Sequence, residues 1–164
     1  MEEAAGGGAR VGEAIAIGAQ DPVVAGDPAC DLERYGGHEV RHRDDRTGRV
    51  AQAVTDSGLK SGTVTVFVPG STAGVTTIEF EPGLKQDIPD CLEHIAPYAG
   101  RYKHHETWHD DNGAAHVRAA LVGPSLVVPF IEGRLALGTW QQIVLMCFDT
   151  RPRRREIVLQ ILGE

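Results

Sequence analysis

The chain has 164 residues, of which 41% are apolar and 24% charged, a composition that fits one globular domain with a sizeable core. Its formal charge of −7 argues against a protein that binds nucleic acid or an anionic membrane over its whole surface, so any anion it handles is held by a local basic patch. No run of about 18 apolar residues occurs, and the opening Glu2-Glu3 and Gly6-Gly7-Gly8 have neither the basic nor the apolar part of a secretory leader.

Aromatic residues make up only 5% of the chain, so the expected core is Val, Leu, Ile and Ala. The three cysteines, Cys30, Cys91 and Cys147, are widely spaced and form no CxxC. That pattern suits reduced thiols in a cytoplasm better than a disulfide framework. Cys91 and Cys147 fall in apolar patterns and are expected in the core.

Residues 1–36 are rich in Gly, Ala, Asp and Pro and poor in periodicity. They are expected to be a poorly ordered extension with one weak edge strand over 29–34, ahead of a single domain over 37–164. Val50, Ala53, Val54 and Leu59 suit one side of a helix over 47–57, with Gly58 as its C-terminal cap. Val64, Val66 and Val68 alternate with Thr63, Thr65 and Phe67, which predicts a strand over 63–68. Pro69-Gly70-Ser71 interrupts it, and a second strand is expected over 75–80. After Pro82-Gly83, Leu84, Ile88, Leu92 and Ile95 recur at helical spacing up to Ala96. Pro89 fits that helix best in its first turn, where a missing N–H costs little.

The stretch from Tyr102 to His116 holds four of the seven histidines, with Glu106, Asp110 and Asp111 among them. It reads as a loop ending in a short helical turn over 116–121. A β-meander follows: strands over 125–131 and 134–137 around a tight Glu132-Gly133 turn, a long strand over 140–148, and a last one over 156–162. Consecutive strands pair antiparallel. The fold class is therefore α+β, one domain with a mostly antiparallel sheet and two or three helices packed on one face.

The crowding of imidazoles and carboxylates is costly unless they stay wet, bind a metal or do chemistry. His105, His109 and His116 are the candidate metal ligands. Zinc is the leading candidate and magnesium the other, with a bound water as the fourth ligand. The bland alternative is three solvated loop histidines. His105-Glu106 with His109 satisfies His-Glu-x-x-His, but turn residues and the lack of an amphipathic helix argue against a metalloprotease. Glu79 is either a solvent-facing strand residue or a general base or metal ligand across the site from the imidazoles. The Pro69-to-Gly74 turn could cradle an anion, although it lacks the Lys and spacing of a P-loop. Arg118 is either a surface charge or a bidentate phosphate clamp. Arg151, Arg153, Arg154 and Arg155 form a solvated hairpin tip or a rim that steers anions. Trp140 is expected to pack in a corner, and Gln141 could pack or bind substrate.

Several segments occur together and in order: Phe67-Val68-Pro69-Gly70-Ser71-Thr72-Ala73-Gly74-Val75-Thr76, His116-Val117-Arg118-Ala119, Gly123-Pro124-Ser125, and Gly133 through Gln142 with its Gly-Thr-Trp-Gln core. Over roughly residues 47–164 the chain resembles the YjbQ-like family, often labelled secondary thiamine-phosphate synthase. The resemblance implies a homotrimer, a weak ability to make thiamine phosphate and a metal-compatible histidine cluster. It matches His109 and His116 to two histidines of the family and Glu79 to a glutamate. It also exposes a departure, since many members carry a His where this chain has Gly70. His104 and His105 are the nearby replacements. The expected function is a metal-assisted thiamine-phosphate synthase or related phosphate-ester enzyme of the cytoplasm, with Glu79, Arg118 and Gln141 catalytic. The alternative is a non-enzymatic trimer that binds a metal or phosphometabolite.

Overall fold

The computed structural model describes residues 23–26, 42–151 and 153–164. Among these residues, eight strands and four helices follow in the order β1 (Val23–Gly26), β2 (His42–Asp45), α1 (Thr47–Ser57), β3 (Ser61–Phe67), β4 (Ala73–Ile78), α2 (Leu84–Ile95), α3 (Lys103–Trp108), α4 (Gly113–Val122), β5 (Ser125–Ile131), β6 (Arg134–Leu135), β7 (Gln142–Cys147) and β8 (Glu156–Gly163). Four residues of the expected N-terminal extension, Val23–Gly26, pair with β8. Cys30 and the weak strand expected over 29–34 lie outside the described residues.

The α+β class holds, with every pairing antiparallel, but the strands form two sheets rather than one. A five-stranded sheet has the order β1-β8-β3-β5-β6, and a three-stranded sheet has the order β2-β7-β4. Strand β7 shows why. Its residues from Ile143 to Cys147, and Phe148 after them, are all buried. Alternate side chains point to opposite faces of a strand. Ile143 and Leu145 join a core that also holds Val64, Val66, Val128, Phe130, Leu159 and Ile161 of the larger sheet. Val144, Met146 and Phe148 join a second core with Leu92 of α2 and Ala115 and Ala119 of α4. The smaller sheet is thus the middle layer, with the larger sheet and α1 on one face and α2 and α4 on the other.

Local chemistry sets the helix ends. Helix α1 starts where Asp45 accepts a bond from the Thr47 N–H at 2.8 Å, and it stops at Gly58, whose φ of 72° suits a residue without Cβ. Helix α2 starts at the Glu81 carboxylate, which accepts bonds from the N–H groups of Leu84 and Gly83. Those two N–H groups hold the Glu81 carboxyl below its ordinary range. Pro89 is not in the first turn as expected but one turn further in, and it is buried.

Helix α4 runs from residue 113 to 122, longer than the expected turn over 116–121, and its small Ala114, Ala115 and Ala119 let it lie close to the sheet. Gly74 of β4 makes the same contact from below, since a Cβ there would stand 2.7 Å from Val122 Cγ1. The tight turn after β5 is as expected, with Glu132 at φ 53° and Gly133 at φ 70°.

Two packing expectations are corrected. Cys91 is exposed, because it follows Pro89 onto the outer side of α2, while Cys147 is buried. Trp140 is 69% exposed, because it lies in the turn before β7 rather than in the strand.

Candidate functional site

The His-rich segment is helical, contrary to the expected loop. Helix α3 carries His104 and His105 and ends at His109, whose φ of 54° turns the chain toward α4. His116 lies one turn into α4. The turn folds the two helices onto each other, so that the rings of His104 and His116 meet with centroids 4.3 Å apart. Nε2 of His104 is 3.5 Å from Oδ1 of Asp110. Burial and then the neighbouring His104 hold His116 below the ordinary imidazole range, against the opposing pull of Asp110 and Asp149.

Asp149 follows directly on the apolar run of β7 and is only 3% exposed. Its Oδ2 accepts bonds from the Thr72 hydroxyl at 2.8 Å and Arg153 Nε at 3.1 Å, and its Oδ1 accepts one from the Arg151 N–H at 3.1 Å. Burial raises the carboxyl, but these donors outweigh it and leave Asp149 below its usual range. Arg155 closes the cluster. Its Nη2 donates to Thr72 Oγ1 at 2.6 Å and lies 3.4 Å from Asp149 Oδ2. Asn112, at the start of α4, ties this turn to the helix by accepting a bond from the Thr150 N–H at 3.4 Å. One end of the molecule therefore gathers two imidazoles, a buried carboxylate, a hydroxyl and guanidinium groups.

The residues singled out in the sequence do not all meet there within one chain. His105 is turned inward, where its Nε2 accepts a bond from the Gly113 N–H at 3.2 Å. His109 is exposed at the end of α3. Among the described residues, no group of three or more His, Cys, Asp or Glu side chains is placed to hold a metal ion. The pair formed by His104 and His116 offers two imidazoles, and no further ligand is grouped with them among the described residues.

Arg118 is neither a surface charge nor a free clamp. It is fully buried, ion-paired with Glu93, hydrogen-bonded from Nε to the Ala96 carbonyl at 2.9 Å, and stacked 3.8 Å from the Tyr98 ring centroid. It follows the buried Ala114 and Ala115 by one turn and so lies on the buried face of α4. Glu79 is exposed just past the end of β4, about 23 Å along the chain direction from Thr72 at the rise of a strand. Gln141 lies at that same far end, where it accepts a bond from the Gly138 N–H at 3.1 Å and donates one to Thr77 Oγ1 at 3.0 Å.

Sequence reasoning underweighted His104, missed Asp149 and placed Thr72 only within the 69–74 turn that could cradle an anion. It left Arg155 between a solvated hairpin tip and a rim that steers anions, where the structure buries it. The available signal was an Asp placed directly after six apolar residues and followed by four arginines within six positions.

A family profile described as "UPF0047 protein YjbQ-like" matches residues 38–164. The chain belongs to the YjbQ-like family. A UPF0047 protein from Archaeoglobus fulgidus is 42% identical over 103 residues, covering 63% of this chain and 79% of its own. One from Methanocaldococcus jannaschii is 37% identical over 121 residues, covering 73% and 84%. Among solved structures, a YbjQ-like protein of unknown function from Sulfolobus solfataricus superposes with a TM-score of 0.72 at 34% identity, covering 88% of this chain and 96% of that one. A hypothetical protein from Aeropyrum pernix gives 0.71 at 32% identity, covering 88% and 98%. The YjbQ-like fold is therefore established for this chain. Among the described residues, no helix is long and apolar enough to cross a membrane.

Proposed function

We propose that this YjbQ-like protein is a cytoplasmic enzyme of small phosphorylated molecules in which His116 moves the proton. The observation that carries the reading is the contact of His104 with His116 beside Asp149 and Asp110. With its pKa held down, His116 is neutral near pH 7 and its ring can accept a proton. The imidazolium so formed is favoured by the charges of Asp149 and Asp110, which both act to raise its pKa. Asp110 anchors His104, and His104 keeps the His116 ring in place.

In the simplest step a water gives its proton to His116 as its oxygen attacks the bound ester. The leaving group departs with the bonding pair and takes the proton back from the imidazolium. The reaction that the family resemblance implies is the first to assay. It joins a pyrimidine pyrophosphate to a thiazole phosphate and releases pyrophosphate. A zinc or magnesium ion would find the two imidazoles of His104 and His116 there and would polarise the bound ester; no step here is routed through a metal.

A homotrimer belongs to the same proposal. It is supported by the outer face of the larger sheet, where Phe67, Val127, Ile131 and Leu162 are 38%, 58%, 63% and 47% exposed. Exposed apolar patches of this kind mark interaction surfaces.

The test compares the full chain with His116→Ala on the pyrimidine and thiazole pair and on a simple phosphate monoester, with and without added zinc or magnesium. Turnover of one of these by the wild type, reduced about 100-fold or more in the variant, is expected. No turnover of either substrate, or equal turnover by both proteins, contradicts the reading.

A further inference from the structure

Among the described residues, Arg155 is held by one of its nitrogens and its others have no acceptor. The residue is 9% exposed. Nη2 donates to Thr72 Oγ1 and approaches Asp149 Oδ2 and, at 3.6 Å, Cys147 Sγ. Nε is buried without an acceptor. Nη1 makes no hydrogen bond among the described residues and faces Gly70. A Cβ built on that glycine would stand 3.0 Å from Nη1 and meet nothing else within 4 Å. A guanidinium has five N–H donors, so most of its capacity is unspent.

Charge points the same way. Asp149 lies between Arg155 and Arg153, one carboxylate for two guanidiniums. Arg151 and Arg154 add exposed positive charge to the same turn. The surplus falls beside a turn whose missing side chain lets a ligand approach the backbone. Gly70 has φ +124°, so an L side chain there would be strained as well as obstructive.

We propose that the notch over Gly70 is an oxyanion subsite, in which Arg155 Nη1 binds the phosphate group of a small phosphorylated molecule. It deepens the reading that this end of the molecule is the functional site, because Thr72 and Asp149 join Arg155 to the surroundings of His116. Guanidinium–phosphate bonds are charge-assisted and stronger than neutral ones. The subsite replaces Arg118, which the fold has taken inside.

The experiment titrates inorganic phosphate, and acetate in parallel, into the full chain labelled with ¹⁵N-arginine, and follows the side-chain Nε–H signals. The Arg155 signal is expected to shift on phosphate addition while that of Arg118 stays in place, and acetate is expected to bind about tenfold more weakly. Calorimetry with Arg155→Lys and Gly70→Ala, each verified as folded by its circular dichroism, is expected to show phosphate affinity reduced about tenfold or more. An unmoved Arg155 signal overturns the proposal without need of any variant. So does unchanged affinity in a folded Arg155→Lys, and acetate binding as tightly as phosphate overturns the phosphate assignment.

The readout is binding, so the two readings fail separately. A chain that holds phosphate at Arg155 but turns nothing over keeps the subsite and loses the proton-transfer role of His116. Turnover with no phosphate at Arg155 does the reverse.

Discussion

His104 of α3 and His116 of α4 place their rings 4.3 Å apart with planes inclined by 42°. Two imidazoles this close disfavour a second proton. That repulsion, added to burial, is what keeps His116 neutral. The pair exists because His109 takes a left-handed turn that brings two short helices together.

Replacing His104 removes the repulsion and part of the cover. His104→Gln is therefore expected to raise the pKa of His116. Titration of the imidazole C–H signals by NMR measures it directly, and an unchanged or lower value would count against the coupling.

The same shift makes stability depend on pH. His116 is depressed in the folded state, so as the pH falls the unfolded chain takes up its proton first. The contribution is full above the unfolded value of about 6.5 and is lost as the pH falls through the lower folded value. Thermal melts should therefore show a larger loss of Tm between about pH 7 and pH 5 in the wild type than in His116→Gln. Parallel losses would mean that His116 does not titrate as described.

Glu93 neutralises a guanidinium that has no exposed surface. Glu93→Gln would leave the Arg118 charge buried and uncompensated, at a cost of about 3 kcal/mol. Urea unfolding gives the number, and a change below about 1 kcal/mol would show that the buried ion pair contributes little.

Gly62 and Gly163 are register partners in the β3–β8 pair. A Cβ on Gly62 would stand 2.0 Å from the Leu162 carbonyl oxygen, and one on Gly163 would stand 2.2 Å from that of Ser61. Backbone cannot swing aside as a side chain can. Gly62→Ala should cost about 3 kcal/mol by the same urea measurement, and a neutral substitution would show that the two strands can separate there.

Much of the fold was legible because its signals are local. The Val64-Val66-Val68 alternation, Gly58 after α1 and Glu132-Gly133 between β5 and β6 each fix their element through short-range chemistry. The split into two sheets was harder to see. Its trace is the unbroken apolar run from Ile143 to Phe148, which alternation rules treat as one strand but which is the mark of a strand covered on both faces.

The site was less legible. Arg118 and Arg155 look alike in sequence, and only packing decides that one is sealed against Glu93 while the other turns an unused nitrogen toward Gly70. The distance between Glu79 and the imidazoles likewise depends on which end of β4 faces α4, and no spacing rule supplies that.

Turnover at this site depends on the proton that His116 accepts. The most direct measurement is the acid limb of kcat/KM against pH, for whichever phosphorylated substrate the chain turns over, set beside the NMR titration of His116 in the same protein. The two midpoints should coincide below the ordinary imidazole value and should rise together in His104→Gln. An acid limb that ignores the titration of His116, or that survives in His116→Gln with full activity, would contradict the assignment.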